Sequence, residues 1–160
     1  MAQSILQQVE LALETAEALY HRLVLLVGAS GSGKTCVLQE IASKFGTKPI
    51  NVNLEVSGSL LELTAKQRSI RLPVILDQAL SNTSGLIILD NLEILFDKEL
   101  QQDPLRLLQG ISRNHTVVAS WNGSIHSGKL IYAEVGHPEY RSYDPADALI
   151  ITMNGSATIG

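Results

Sequence analysis

The sequence predicts an α/β fold, an open and mainly parallel sheet of five strands with helices between them. Three observations carry this. LVLLVGASGSGKTCVL, residues 23–38, reads as an apolar strand, a glycine-rich turn and the start of a helix. LIILD, residues 86–90, is a continuous apolar run ending in an acid, as a strand buried on both faces requires. Strand-like and helix-like segments then alternate to the end of the chain. At 160 residues, with 45% hydrophobic and 18% charged side chains, the chain is expected to form one domain over 1–160.

Taken in order, residues 3–19 place Ile5, Val9, Ala12, Leu13, Ala16 and Leu19 on one helical face. Tyr20, His21 and Arg22 join this helix to the first strand, Leu23 to Val27. Tyr20 or Arg22 at that junction is a candidate to cover a nucleotide base, or else simply packs there. Residues 34–45 form the next helix, with Val37, Leu38, Ile41, Ala42 and Phe45 facing inward and Cys36 as a small buried residue. Gly46 stops it, and Ile50 to Leu54 alternate as a second strand. Residues 55–70 are helix-compatible after Gly58, Pro73 interrupts, and 74–80 resume as a short helix. After the strand 86–90, Pro104 opens a helix carrying Leu105, Leu107, Leu108 and Ile111. Thr116 to Trp121 form the fourth strand, ending at Asn122-Gly123. Lys129 to Val135 is extended, Leu149 to Met153 is the last strand, and the tail NGSATIG is loose.

The chemistry centres on Gly28-Ala29-Ser30-Gly31-Ser32-Gly33-Lys34-Thr35, which fits the eight-position pattern G-x-x-x-x-G-K-[ST]. Glycines let such a loop curl around phosphates, and the helix N-terminus behind it supplies converging N–H groups. Lys34 is placed to reach the β- and γ-phosphates, and the Thr35 hydroxyl to take one Mg2+ position. Cys36 borders this loop. Asp90, at the carboxyl end of its strand, is the candidate second metal residue, acting through water. Hydrolysis also needs a group that orients or deprotonates water. Asn91 follows Asp90 and can orient water but cannot take its proton; Glu93 is the candidate base, or else a structural acid. Asn122, at a strand end, is a candidate γ-phosphate sensor or an ordinary turn residue. Arg141, in HPEYRSYDP, and Arg113 are the candidates for a cation donated to a neighbouring subunit. His115, His126 and His137 have no metal-ligand spacing.

The formal charge of -4 gives no global basic surface, which disfavours autonomous DNA binding. One cysteine allows no internal disulfide, and no long apolar run or basic leader is visible. A cytoplasmic protein without a membrane span is expected. No guanine-specifying Asn/Thr-Lys-x-Asp run is present, which favours ATP over GTP. No arginine-rich lid is visible, against a small-molecule kinase.

The segments GASGSGKT, LIILDNLEILF, DPLRLLQGISRNHTVVASWNG and GKLIYAEVGHPEYRSY together resemble the small P-loop protein of type 3 bacteriophage-exclusion (BREX) defence systems. More broadly, loop, strand acid and strand-four asparagine resemble the core of AAA+-type P-loop NTPases. The resemblance implies a three-layer sandwich without a helical lid domain, with ATP and Mg2+ as ligands. It places Lys34, Thr35, Asp90 and Asn122 in the family's site positions. Asn91 stands where that pattern usually has glutamate. Antiphage function, partners among larger defence proteins, homo-oligomerisation and contact with DNA only through those partners are further implications. A nucleotide-binding module that never hydrolyses is the alternative.

Overall fold

The computed structural model describes residues 4–83, 85–133, 141–145, 148–154 and 157–159. A parallel sheet forms its middle layer, in the order β2-β3-β4-β1-β7, with β8 added antiparallel at the β7 edge. β1 (Leu23–Gly28) lies at the centre between β4 (Val117–His126) and β7 (Leu149–Thr152). β3 (Ile87–Asp90) pairs with β4, and β2 (Ile50–Asn51) with β3. The five expected parallel strands are present; Gly28, Asn51 and Asp90 lie at their carboxyl ends, and Asn122 lies level with Gly28 where the parallel pairing of β4 ends. Ligands gather at this rim in open α/β sheets.

Alternation explains why the strands read as unbroken apolar runs. Leu23, Leu25 and Val27 face one core with Ile87, Leu89, Val117 and Ala119. Val24 and Leu26 face the other with Ile88, Val118 and Ile151. The first core is covered by α3 (Val52–Leu60), α4 (Ala65–Leu80) and α5 (Pro104–Ser112), the second by α1 (Ile5–Ala16) and α2 (Lys34–Phe45). Three layers result. α1 begins where Ser4 and Gln7 close a reciprocal capping box, and α2 stops at Gly46, whose φ of 69° is left-handed.

Several local expectations are corrected. β2 ends at Asn51, not Leu54, because the Asn51 side chain accepts from Leu54 N at 3.0 Å and starts α3. Thr64 caps α4, so the helical break falls at 61–64. Pro73 lies inside α4. β4 does not end at Asn122-Gly123 but continues to His126, forming a hairpin with β5 (Lys129–Tyr132), which pairs with β6 (Arg141–Tyr143). Gly123 makes this approach: a Cβ there would lie 1.8 Å from the Ile131 carbonyl oxygen. The tail is not loose throughout, since β8 (Ala157–Ile159) pairs with β7. Phe45 is half exposed and Cys36 is exposed, because α2 turns its 38, 41 and 42 positions to the core instead. Val135, His137 and the rest of 136–140 lie outside the described residues.

Candidate functional site

The phosphate loop joins β1 to α2 as the spacing requires. Gly31 and Gly33 have φ of 80° and 98°, which a side-chain-bearing residue adopts only with strain. Gly28 is held for a different reason: a Cβ there would meet Ser32 Oγ at 2.6 Å and Met153 Cγ at 2.7 Å. Ala29, Ser30 and Ser32 complete the turn. Lys34, only 6% exposed, points its ammonium back into the loop. It donates to the carbonyls of Gly28 (2.9 Å) and Ala29 (2.7 Å) and sits 3.4 Å from Ser32 Oγ. Burial lowers its pKa from the ordinary lysine value, while Asp90 and Glu93 nearby act in the opposite sense.

Thr35, one residue on, donates its hydroxyl to Asp90 Oδ2 at 2.7 Å. Loop and strand acid, 55 positions apart in sequence, therefore meet directly. The other oxygen, Asp90 Oδ1, accepts from Ser120 Oγ (2.7 Å) and from the Asn91 N–H (2.9 Å). Three donors fix this buried carboxylate in one orientation, as low-dielectric surroundings demand of a charge.

After Asp90 the chain turns sharply. Asn91 adopts φ 56°, and its carbonyl accepts from Asn53 N at 2.9 Å. The turn delivers Glu93 to the start of a 3-10 turn, Glu93–Phe96. There both carboxylate oxygens are taken by amides: Asn122 Nδ2 donates to Oε1 at 2.7 Å and Asn53 Nδ2 to Oε2 at 2.8 Å. Asn53 in turn accepts from Ile94 N at 2.8 Å. Glu93 and Asn122 are thus joined in one cluster near Lys34. Asn53 was not among the residues singled out from the sequence. An extended reading to Leu54 hid it; the asparagine spacing at 51 and 53, a cap followed by a second amide, was the available signal.

Other sequence candidates lie elsewhere. Tyr20 is 66% exposed beside the amino-terminal end of β1, and six strand residues carry the chain about 20 Å from there to the loop. Arg113 lies over the Tyr20 ring, 5.0 Å from its centroid, and Arg22 donates to the Arg113 carbonyl at 3.2 Å. These residues form a junction at the end of the sheet opposite the loop. Arg141 donates to the carbonyls of Gln102 (2.8 Å) and Phe96 (3.1 Å) within its own subunit. It ties β6 to the segment that follows Glu93. Among the described residues no group of three or more His, Cys, Asp or Glu could hold a metal by itself, and no helix is long and apolar enough to cross a membrane.

No curated protein matches the chain. Residues 24–120, from β1 to the Ser120 that holds Asp90, match the family model described as "ATPase family associated with various cellular activities (AAA)". With the loop, the strand acid and the strand order that joins them all inside a match covering more than half of the sequence, the chain belongs to this AAA family of P-loop nucleotide-binding domains.

Proposed function

We propose that this chain binds ATP with Mg2+ and hydrolyses it slowly, with Glu93 as the base. The observation that carries the reading is the 2.7 Å bond from Thr35 to Asp90, made beside the Lys34 ammonium. A hydroxyl and a carboxylate side by side are the hard oxygen donors that suit Mg2+, which keeps much of its water and needs few protein ligands. Thr35 would hold the ion directly and Asp90 through water. Bound there, the ion would offset negative charge on the phosphates.

The protein's own groups do the rest. Loop N–H groups and Lys34 bind and orient the triphosphate. Lys34 exchanges its carbonyl partners for phosphate oxygens, which are stronger acceptors of a charged donor. Glu93 takes a proton from water that it also orients, and Asn122 and Asn53 hold its carboxylate in place. Asn91 contributes the bend that puts Glu93 there. The sequence lacks a guanine-specifying run, which supports ATP.

The setting we propose is a subunit of a type 3 BREX antiphage complex in the cytoplasm, supported by the resemblance of LIILDNLEILF and GKLIYAEVGHPEYRSY. It would work with larger defence proteins, reach DNA only through them, and self-associate. The test combines ATP binding with phosphate release, for the protein alone and with such partners. Lys34→Ala is expected to lose binding. Glu93→Gln is expected to bind normally and lose about 100-fold or more in rate. Unchanged phosphate release in Glu93→Gln would remove Glu93 as the base. Binding without turnover in every arm would leave a nucleotide-responsive module.

A further inference from the structure

The Glu93 carboxylate has its own amide contacts, but the turn that carries it is held from further away. Phe96, the last residue of that turn, is held twice. Its ring stacks on Tyr132 of β5, and its carbonyl accepts from Arg141 Nη2 at 3.1 Å. Arg141 Nη1 donates to the Gln102 carbonyl at 2.8 Å and lies 3.4 Å from the Tyr143 hydroxyl. One half-buried guanidinium therefore holds the main chain on both sides of residues 97–101, a stretch that includes a second 3-10 turn, Lys98–Leu100.

Sheet pairing brings the same extension to Glu93 by a second route. Arg141 pairs with Tyr132, and Tyr132 with Gly123, the residue after Asn122. Two strand spacings, about 10 Å, thus separate the backbones of Arg141 and Gly123. Asn122 itself donates to Glu93 Oε1 at 2.7 Å. The contacts close a circuit: from Glu93 to Asn122, across β4, β5 and β6 to Arg141, then through Phe96 and back along one turn to Glu93. We propose that Arg141 is a positioning residue for Glu93, its bonds to the Phe96 and Gln102 carbonyls fixing where the carboxylate stands. The proposal rests on Glu93 as the base and adds what aims it.

Two considerations separate this role from plain support. Phe96 is buried among Tyr132, Trp121 and Tyr143, which already secures the end of the turn to the extension. Apolar contact is non-directional and leaves the turn free to slide or rotate. A planar guanidinium on two carbonyls sets direction and distance together, which a lysine ammonium does not. Catalysis is sensitive on that scale, since about 1 Å of misplacement costs on the order of 100-fold.

The test combines Arg141→Lys and Arg141→Met with Glu93→Gln in single-turnover ATP hydrolysis with Mg2+, alongside ATP binding by calorimetry. Arg141→Lys is expected to lower the rate at saturating ATP at least about tenfold and leave ATP affinity within about twofold. Arg141→Met, which keeps much of the stem, should show the same pattern. In the Glu93→Gln background either change should lower the residual rate by less than about twofold, because its effect passes through the carboxylate. General weakening of the fold would instead slow both backgrounds alike. Side-chain amide NMR gives a readout that needs no turnover: Arg141→Lys should shift the Asn122 and Asn53 NH2 signals that Glu93→Gln also shifts. Unchanged rates in both Arg141 variants, equal losses in the two backgrounds, or unmoved amide signals would overturn the proposal while Glu93 stood as the base. If Glu93→Gln alone kept the wild-type rate, the base reading itself would fall.

Discussion

Asn53 is the residue on which the Glu93 arrangement depends most. It donates to Glu93 Oε2, accepts from Ile94 N, and gives its own N–H to the Asn91 carbonyl. Asn53→Ala removes the two side-chain bonds, one of them to a charged group, and is expected to cost about 1–3 kcal/mol in denaturant unfolding. Asn53→Asp keeps the shape but sets a second carboxylate against Glu93, and should destabilise more than alanine at neutral pH. Equal stability of the two variants would show that Glu93 is not held as described. The contrast with Lys34, Thr35 and Asp90 shows what a sequence makes legible. Those three lie in linear patterns whose chemistry fixes both spacing and identity. Asn53 acts through a contact 40 positions away, and the only local sign of it is its spacing from the helix cap Asn51. Tyr20 had two readings, base cover or junction packing, and the structure places it in the junction under Arg113, at the amino-terminal end of β1.

At the scale of elements, α4 shows tertiary structure overriding a local rule. A proline inside a helix leaves the carbonyl four residues back without its N–H partner. For Pro73 that carbonyl belongs to Ser69, and Gln102 Nε2 supplies the missing donor at 2.7 Å. The helix also keeps Leu72, Ile75, Leu76 and Leu80 in the core on both sides of the proline. A reading from composition splits the segment at Pro73 because the replacement donor is 33 positions away. Gln102→Ala is expected to cost about 1–2 kcal/mol. In a Pro73→Ala background, where position 73 regains its N–H, that cost should shrink. A double-mutant cycle by urea unfolding measures the coupling, and strictly additive losses would argue against it. The same lesson applies to β4, where asparagine-glycine suggested a turn. The glycine instead lets Ile131 pass close enough to extend the strand into a hairpin.

Across the whole molecule, the β4–β6 extension is joined to the main domain by an aromatic cluster. Phe96 stacks on Tyr132, and Trp121 and Tyr143 meet it edge-on. Burial raises the Tyr143 hydroxyl pKa above its ordinary value, with Arg141 acting the other way and Asp103 adding to the rise. The folded state therefore holds the proton more tightly than the unfolded chain. Its contribution to stability is full below about pH 10, where neither state is ionised. It is lost as pH rises through the raised folded value. Wild type should thus lose more stability than Tyr143→Phe between neutral pH and pH 11, measured by denaturant unfolding. Parallel losses would show that the hydroxyl is not held protonated by the fold. The parallel core of this architecture was legible from apolar runs and their order. Of the antiparallel strands, β5 was legible as an extended segment from Lys129, but β6 and β8 were not, because each is short and is specified by the strand it meets.

Those short strands have a consequence for assembly. Among the described residues, β2 offers two residues at one margin of the sheet, β8 three at the other, and β6 three at the end of the hairpin. Strands this short give another chain almost no row of main-chain donors and acceptors to zip onto. A partner meeting these described edges would therefore recognise side chains, on helical faces or at the loop rim, and not a strand edge. Selectivity of that kind can be tuned one substitution at a time, and it leaves the backbone of the sheet out of reach of fibril-like stacking.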